Sequence, residues 1–338
     1  MTFADAVRAA RRSAALFRLV DRGAIEVRGA DRVRFLQGQL TNDVAALDPA
    51  GPRSGCYALA LSREGRIAVD LHVLARRESI WLETAASHVA ATLERLGKYL
   101  IADDVELVDR SGEIARFGVE GPRARELLTA AAARIPELLP DSAAETRIAG
   151  AEVLVAAYGW SGEAAFQLFA PRAAEGDVGS ALAAAAAACD AVEAGSDALE
   201  VLRIEAGIPS VGRELGPDVL PAEARLLARA VSFTKGCYTG QEVVARMQSR
   251  GRVAHLLVGL AFEGALPEIG APLLAGGVRV GAVTSAARSP SAGPIGLAFV
   301  RRGHDAPDTA LEVGGGIARV VALPFVAGGG QPADRDSR

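Results

Sequence analysis

The chain has 338 residues, half of them hydrophobic but only 5% aromatic, and 37 basic residues stand against 41 acidic ones for a formal charge of −4. That length is about twice a common single domain, so two or three domains and a sizeable core are expected. Interspersed charges of both signs exclude a dedicated polyanion-binding domain, and the scarcity of aromatic side chains excludes a base-stacking surface, so no direct nucleic-acid contact is expected.

The three cysteines, Cys56, Cys189 and Cys237, are odd in number and far apart, which fits neither a disulfide framework nor a CxxC-type zinc site. A cluster needs about four thiolates, so the chain is expected to hold no iron–sulfur cluster and no tightly bound metal of its own. No apolar run approaches the ~18 residues that cross a bilayer. A cytoplasmic protein without membrane contact is expected, or one of the mitochondrial matrix if eukaryotic.

In chain order, the Arg-rich opening MTFADAVRAARRSAALFRL reads as an amphipathic first helix rather than a transit peptide, because Asp5 interrupts it and patterned sequence follows directly. A short strand with Ile25 and Val27 leads through Gly29 to a helix opened by Asp31. CYALALS and RIAVDLHVLA read as a hairpin turning at Gly65. Alternation places Ile67, Val69 and Leu71 on one face of the second strand, and Ala68, Asp70 and His72 on the other. A strand (SIWLETAA) and a helix ending near Gly97 follow, then two more β segments up to Pro122.

A polar stretch around residues 136–146 precedes the hairpin EVLVAAYGWSGEAAFQLFA and an Ala-rich helix with Cys189 as a buried small residue. The next helix opens at Ser196 or Asp197, stops at Gly207 and presents Arg203 and Glu205 near its end. From Leu256 the chain has short strands broken by Gly and Pro, a small all-β unit read as a barrel. The Gly-rich tail after Val326 is expected to be disordered.

The segment KGCYTGQEVVAR carries the densest local signal. Thr239 and Glu242 have capping-box spacing, which sets Cys237 just ahead of a helix start, with Lys235 two residues away. Both features favour a thiolate, and Gly236 and Gly240 leave room for a ligand. The same spacing also suits a structural turn holding an inert thiol. Arg246 lies one helical turn beyond Glu242 on the same face, where it can pair with Glu242, hold an anionic ligand or stabilise the Cys237 thiolate.

Lys235, Gly236, Cys237, Tyr238, Gly240, Gln241, Glu242, Ala245 and Arg246 together resemble the signature of the YgfZ branch of the glycine cleavage T-protein superfamily. Further likenesses follow in order: RGADRVRFLQGQLTNDV, YGWSGEAAFQL, RIEAGIPSVGREL and VGAVTSAARSPSAGPIGLAFVR. The resemblance implies an α+β, three-lobed T-protein-like folate-binding fold with a C-terminal β-barrel. It implies a discontinuous folate-binding domain over residues 1–50 and 140–250, a second α+β domain over 51–139, the barrel over 251–326 and a tail over 327–338.

By the same resemblance Glu205 grips a pterin ring, Asp70 and the aromatic Tyr158 and Trp160 line a channel for tetrahydrofolate or a derivative, and Lys235 and Arg246 stand among the ligand-binding residues. Asp70 is equally readable as a solvent-facing strand residue, and the two aromatics as core. Val69 stands where T-proteins carry the first of two paired aspartates, which counts against aminomethyl transfer. Arg22 stands where some YgfZ-type relatives have an aromatic residue. The expected function is a tetrahydrofolate-binding factor that assists assembly or repair of iron–sulfur proteins, including tRNA-modifying enzymes. Cys237 would be its essential thiol, and client or scaffold proteins its partners. The alternatives are a folate-dependent aminomethyltransferase or demethylase, and an adaptor without folate.

Overall fold

The computed structural model describes residues 3–132, 134–250 and 253–329. Helix α1 (Phe3–Arg12) buries Ala6, Val7 and Ala10 at helical spacing and leads into strand β1 (Ala15–Arg18). Strand β2 (Arg22–Arg28) and helix α2 (Arg32–Gln39) precede the hairpin of β3 (Gly55–Leu61) and β4 (Ile67–Ala75). Strand β5 (Ile80–Ala85), helix α3 (Val89–Gly97), β6 (Glu106–Asp109) and β7 (Ile114–Glu120) come next. Then follow α4 (Ala124–Ala131), β8 (Ala143–Ile148), β9 (Ala151–Ala156), β10 (Ala165–Pro171), α5 (Glu175–Ala188) and β11 (Val192–Ala194). Helices α6 (Ser196–Ala206), α7 (Leu227–Ala230) and α8 (Gln241–Arg250) lead to the barrel strands. These are β12 (His255–Glu263), β13 (Pro272–Ala275), β14 (Val278–Ser289), β15 (Gly293–Arg301), β16 (Ala310–Val313) and β17 (Gly316–Val321).

Three lobes result, as the fold-class expectation had it: a six-stranded sheet ordered β11-β1-β7-β10-β9-β8, a five-stranded sheet ordered β3-β4-β5-β2-β6, and a closed six-stranded barrel. Helices α4 and α5 cover one face of the first sheet, and α2 and α3 one face of the second, each over its own apolar core. The opposite faces of the two sheets meet through Ala24, Leu74, Leu154, Ala156, Tyr158 and Phe169. Helices α1 and α6 pack against the barrel through Val7, Leu202, Leu257 and Leu297. Among the described residues no helix is long and apolar enough to cross a membrane, and no His, Cys, Asp and Glu group is arranged to hold a metal ion.

Sheet membership cuts across the expected domain boundaries. Strand β2, expected with the first domain, pairs with β5 and β6, while β7, expected with the second, pairs with β1 and β10. Hydrogen-bond register with distant strands decides this, and position along the chain does not reveal it. The polar stretch before the β9 hairpin also contributes a strand of its own, β8, which pairs with β9.

The β3–β4 hairpin turns at Gly65, at φ +73°. Its register slips between Ala60 and Leu61, so that Leu61 faces Ile67 while Ala60 faces Val69. A bulge of this kind turns one residue to the other face. Ile67 therefore packs with Tyr57, Leu59 and Leu61 instead of sharing the core of Val69 and Leu71. The tail begins ordered: the Gly329 N–H donates to Glu163 Oε2 at 2.8 Å. Residues 330–338 of the expected disordered tail lie outside the described residues.

Candidate functional site between the two sheets

The inner face of the five-stranded sheet carries a row of polar side chains fixed by register. Tyr57 on β3 faces His72 on β4, which faces Glu83 on β5. Asp70 sits two residues before His72 on the same face, and Arg22 lies on β2 at the end of the row. The six-stranded sheet opposes them with Arg116 from β7 and with Tyr158 and Trp160 from the loop between β9 and β10. Asp141, before β8, and Arg229, from α7, close one side.

Glu83 is fully buried and binds two guanidiniums: Arg22 donates Nε and Nη2 to it at 2.6 and 3.0 Å, and Arg116 donates Nη1 at 3.2 Å. Burial works to raise its pKa, but the Arg22 and Arg116 charges outweigh burial and hold it at about 2. The Arg22 guanidinium also lies over the Trp160 ring at 4.9 Å, so its plane is already in use. Arg116 lies over Phe169 at 3.6 Å and donates to the Tyr158 hydroxyl at 3.3 Å.

On the other side Arg229 lies 4.6 Å from the Tyr57 ring centroid and donates to Asp141 Oδ1 at 3.4 Å. Burial works to raise the Asp141 pKa, but opposing influences led by the Arg229 guanidinium bring it down to about 2. Arg229 and Asp141 are the more exposed members, at 27% and 20%, and form the rim toward solvent. The His72 ring stacks on Tyr158 with centroids 3.5 Å apart and planes within 10°. Burial lowers the His72 pKa, which leaves the imidazole neutral at pH 7.

Three guanidiniums thus balance three carboxylates in the cluster, and several buried polar atoms stay unpartnered. Asp70 accepts from the Tyr57 hydroxyl at 2.9 Å through Oδ2, whereas Oδ1 has no hydrogen-bond partner. Arg116 Nε is in the same condition, and His72 Nδ1 makes no well-formed hydrogen bond, Asp141 Oδ1 standing off at 3.5 Å. A buried polar atom without a partner costs roughly 1–3 kcal/mol, so atoms of this kind gathered in one polar, aromatic-walled cluster mark a place built for a ligand.

Comparison with known proteins decides the family. Residues 2–235 match the family described as the GCVT N-terminal domain, and residues 256–326 match the glycine cleavage T-protein C-terminal barrel domain. The chain belongs to the glycine cleavage T-protein family. Within it, the chain is 33% identical to a protein from Streptomyces avermitilis named aminomethyltransferase, covering 94% of this chain and 87% of the relative. A Moorella thermoacetica aminomethyltransferase is 32% identical over 93% of this chain and 87% of its own. The crystal structure of the glycine cleavage system aminomethyltransferase T from Bartonella henselae shares the fold, with a TM-score of 0.86 at 24% identity over 96% of this chain and 90% of that one.

These relatives overturn the YgfZ-type assignment and, with it, the iron–sulfur maturation reading, which rested on the Cys237 signature. In this chain three members of that signature, Lys235, Tyr238 and Gly240, are engaged in packing the loop. The Lys235 ammonium is drawn inward, donating to the carbonyls of Gln37, Leu40 and Asn42 at 2.7, 2.6 and 2.9 Å. It ties the loop to the end of α2 instead of facing the thiol. Burial lowers its pKa to about 8, still leaving it charged at pH 7. Tyr238 is buried with Tyr57, Leu59 and Leu61.

Gly240, at φ +87°, comes so close to Ser62 O that a Cβ would sit 2.6 Å from it. That non-helical residue precedes α8, so the expected capping box of Thr239 and Glu242 does not open the helix. Cys237 is exposed on the loop with Gly236, and Gln241, Glu242 and Arg246 lie on the helix that follows. Among the described residues no hydrogen bond or ion pair joins Gly236, Cys237, Gln241 or Glu242 to the polar cluster.

Glu205 is also placed elsewhere. It is fully buried, accepts from Arg11 Nε and Nη2 at 3.0 and 2.8 Å and from the Ser289 hydroxyl, and so joins α1, α6 and the barrel. Of the expected ligand residues, the structure brings Asp70, Tyr158 and Trp160 together, with Arg22 beside them. The sequence reading missed Tyr57, Glu83, Arg116, Asp141 and Arg229. Charges set in otherwise apolar strands, Glu83 in IWLETA and Arg116 in IARFGVE, were the available signal.

Proposed function

We propose that this chain is a tetrahydrofolate-dependent one-carbon transferase of the aminomethyltransferase type, acting at the cluster around Asp70. The observation that carries the reading is the unpartnered, buried Asp70 Oδ1 beside the stacked Tyr158 and His72 rings. It is supported by the relatives' shared name over nearly the whole chain. Bound there, tetrahydrofolate would supply nucleophilic amine nitrogens that accept a one-carbon unit.

The chain's own residues would do the rest. Asp70, held by Tyr57, offers one free carboxylate oxygen to an amine N–H and stabilises positive charge that develops on it. Trp160, edge-on to Tyr158, adds an apolar ring at the border of the cluster, and burial of the cluster excludes water. Val69, which counted against transfer, points into the opposite core at 3% exposure. A carboxylate there would be desolvated without a partner, so its absence removes nothing from the Asp70 face.

The test is formation of methylenetetrahydrofolate from tetrahydrofolate and an aminomethyl donor by the purified protein. Asp70→Asn should lower kcat on the order of 100-fold or more while leaving the fold intact. Full activity in that variant, or no turnover by the wild type with tetrahydrofolate, would sink the proposal.

A further inference from the structure

When a neutral N–H amine takes a carbon unit over from another heteroatom, a proton must in net travel the opposite way, from the accepting amine to the atom released. Each time an amine of tetrahydrofolate forms its bond to carbon, its N–H bond breaks, and the atom whose bond to that carbon breaks takes up a proton; methylenetetrahydrofolate is complete after two such exchanges, one for each amine and each released atom. The cluster therefore needs a group that can hold a proton between these two events. Glu83 and Asp141 are both held at about 2 and stay ionised. Burial first, then the Asp70 charge for Tyr57 and the Glu83 charge for Tyr158, raises both phenols well above their usual range. The guanidiniums of Arg22, Arg116 and Arg229 do not release protons.

We propose that His72 is a second catalytic residue of this site, taking a proton at Nδ1 from the accepting amine and returning it to the leaving atom. The inference rests on the function proposed above. Three geometric facts carry it. His72 Nδ1 is buried and makes no well-formed hydrogen bond, with Asp141 Oδ1 standing off at 3.5 Å. The two side chains share one face of β4 two residues apart, roughly 7 Å along the strand, which suits two polar atoms of one ligand. The ring is fixed in place, stacked on Tyr158 and tilted against Tyr57 with centroids 4.9 Å apart.

The proton so gained is stabilised from several elements. Asp141 Oδ1 lies 3.5 Å from Nδ1, and Glu83 is the cross-strand neighbour on β5. Asp70 adds a charge on the same strand, and Arg229, Arg22 and Arg116 oppose the gain from α7, β2 and β7. Asp141 is held at φ +61°, a conformation that asparagine also adopts readily, so Asp141→Asn removes the charge without forcing the backbone.

The experiment has two readouts. In protein labelled at histidine, NMR follows the four imidazoles, with His72 assigned through His72→Gln. His72 should titrate below 6.5, move lower still in Asp141→Asn because the carboxylate raises it, and shift when tetrahydrofolate is added. In turnover, kcat should fall on the acid side as His72 protonates, and this limb should move to lower pH in Asp141→Asn. His72→Gln should lose on the order of 100-fold in kcat, change KM little, and lose the acidic limb. If tetrahydrofolate shifts none of the imidazoles, the proposed function itself fails. If tetrahydrofolate binds and His72→Gln keeps the acidic limb, or if the His72 titration ignores Asp141→Asn, the role of His72 alone is overturned.

Discussion

Replacing Glu83 by Gln tests the polar cluster as a structural unit. The carboxylate is fully buried and neutralises two guanidiniums at once, so the variant leaves Arg22 and Arg116 buried side by side with no charge between them. Breaking a buried ion pair from one side typically costs about 3–5 kcal/mol. A second route gives a similar size. The pKa falls from 4.5 to about 2 on folding, and at about 1.4 kcal/mol per unit the ionised form contributes roughly 3 kcal/mol. The folded value is depressed, so this contribution is complete above about pH 4.5 and is lost as pH falls toward 2.

Thermal unfolding followed by circular dichroism should place Glu83→Gln on the order of 10 °C below wild type at pH 7. The gap should narrow as pH falls below about 4.5, where Glu83 of the unfolded wild-type chain takes up a proton while the folded carboxylate stays ionised down to about 2. Equal melting at pH 7, or a gap that stays constant down to pH 3, would refute the ion-pair account.

Glu205→Gln should destabilise the chain by about 3–5 kcal/mol in denaturant titrations, through the lost Arg11 pair, with tetrahydrofolate affinity unchanged. Loss of affinity at unchanged stability would instead put Glu205 on the ligand. Cys237→Ser should keep full transfer activity, a result that would fail if the thiol took part. In the wild type iodoacetamide should modify exposed Cys237 well before Cys56, whose thiol burial pushes up to about 12, as peptide mass mapping would show.

What the sequence revealed was local. Alternation in RIAVDLHVLA put Asp70 and His72 on one face, the turn at Gly65 formed the hairpin, and α6 and the barrel strands lie where their patterns put them. What it hid was contact between distant segments. Arg22, Glu83 and Arg116 meet only because β2 pairs with β5 and because the two sheets face each other. Lys235 looked like a partner for Cys237 at two residues' distance, yet three carbonyls nearly 200 residues upstream hold it. A long flexible side chain takes the best-desolvated acceptor set it can reach, and sequence proximity has no weight in that choice. The bulge at Ala60 likewise moved Ile67 across the sheet, since a strict period of two has no means of registering an extra residue.

The ordered start of the tail bears on when the site is finished. Phe325 and Val326 donate their N–H groups to Glu205 O, and Gly329 donates to Glu163, next to the turn that presents Trp160 to Arg22. The wall of the site is thus braced by residues that leave the ribosome after both sheets and all six barrel strands. A growing chain holds every member of the polar cluster long before it holds that brace, so the site reaches its final form only once the barrel has closed.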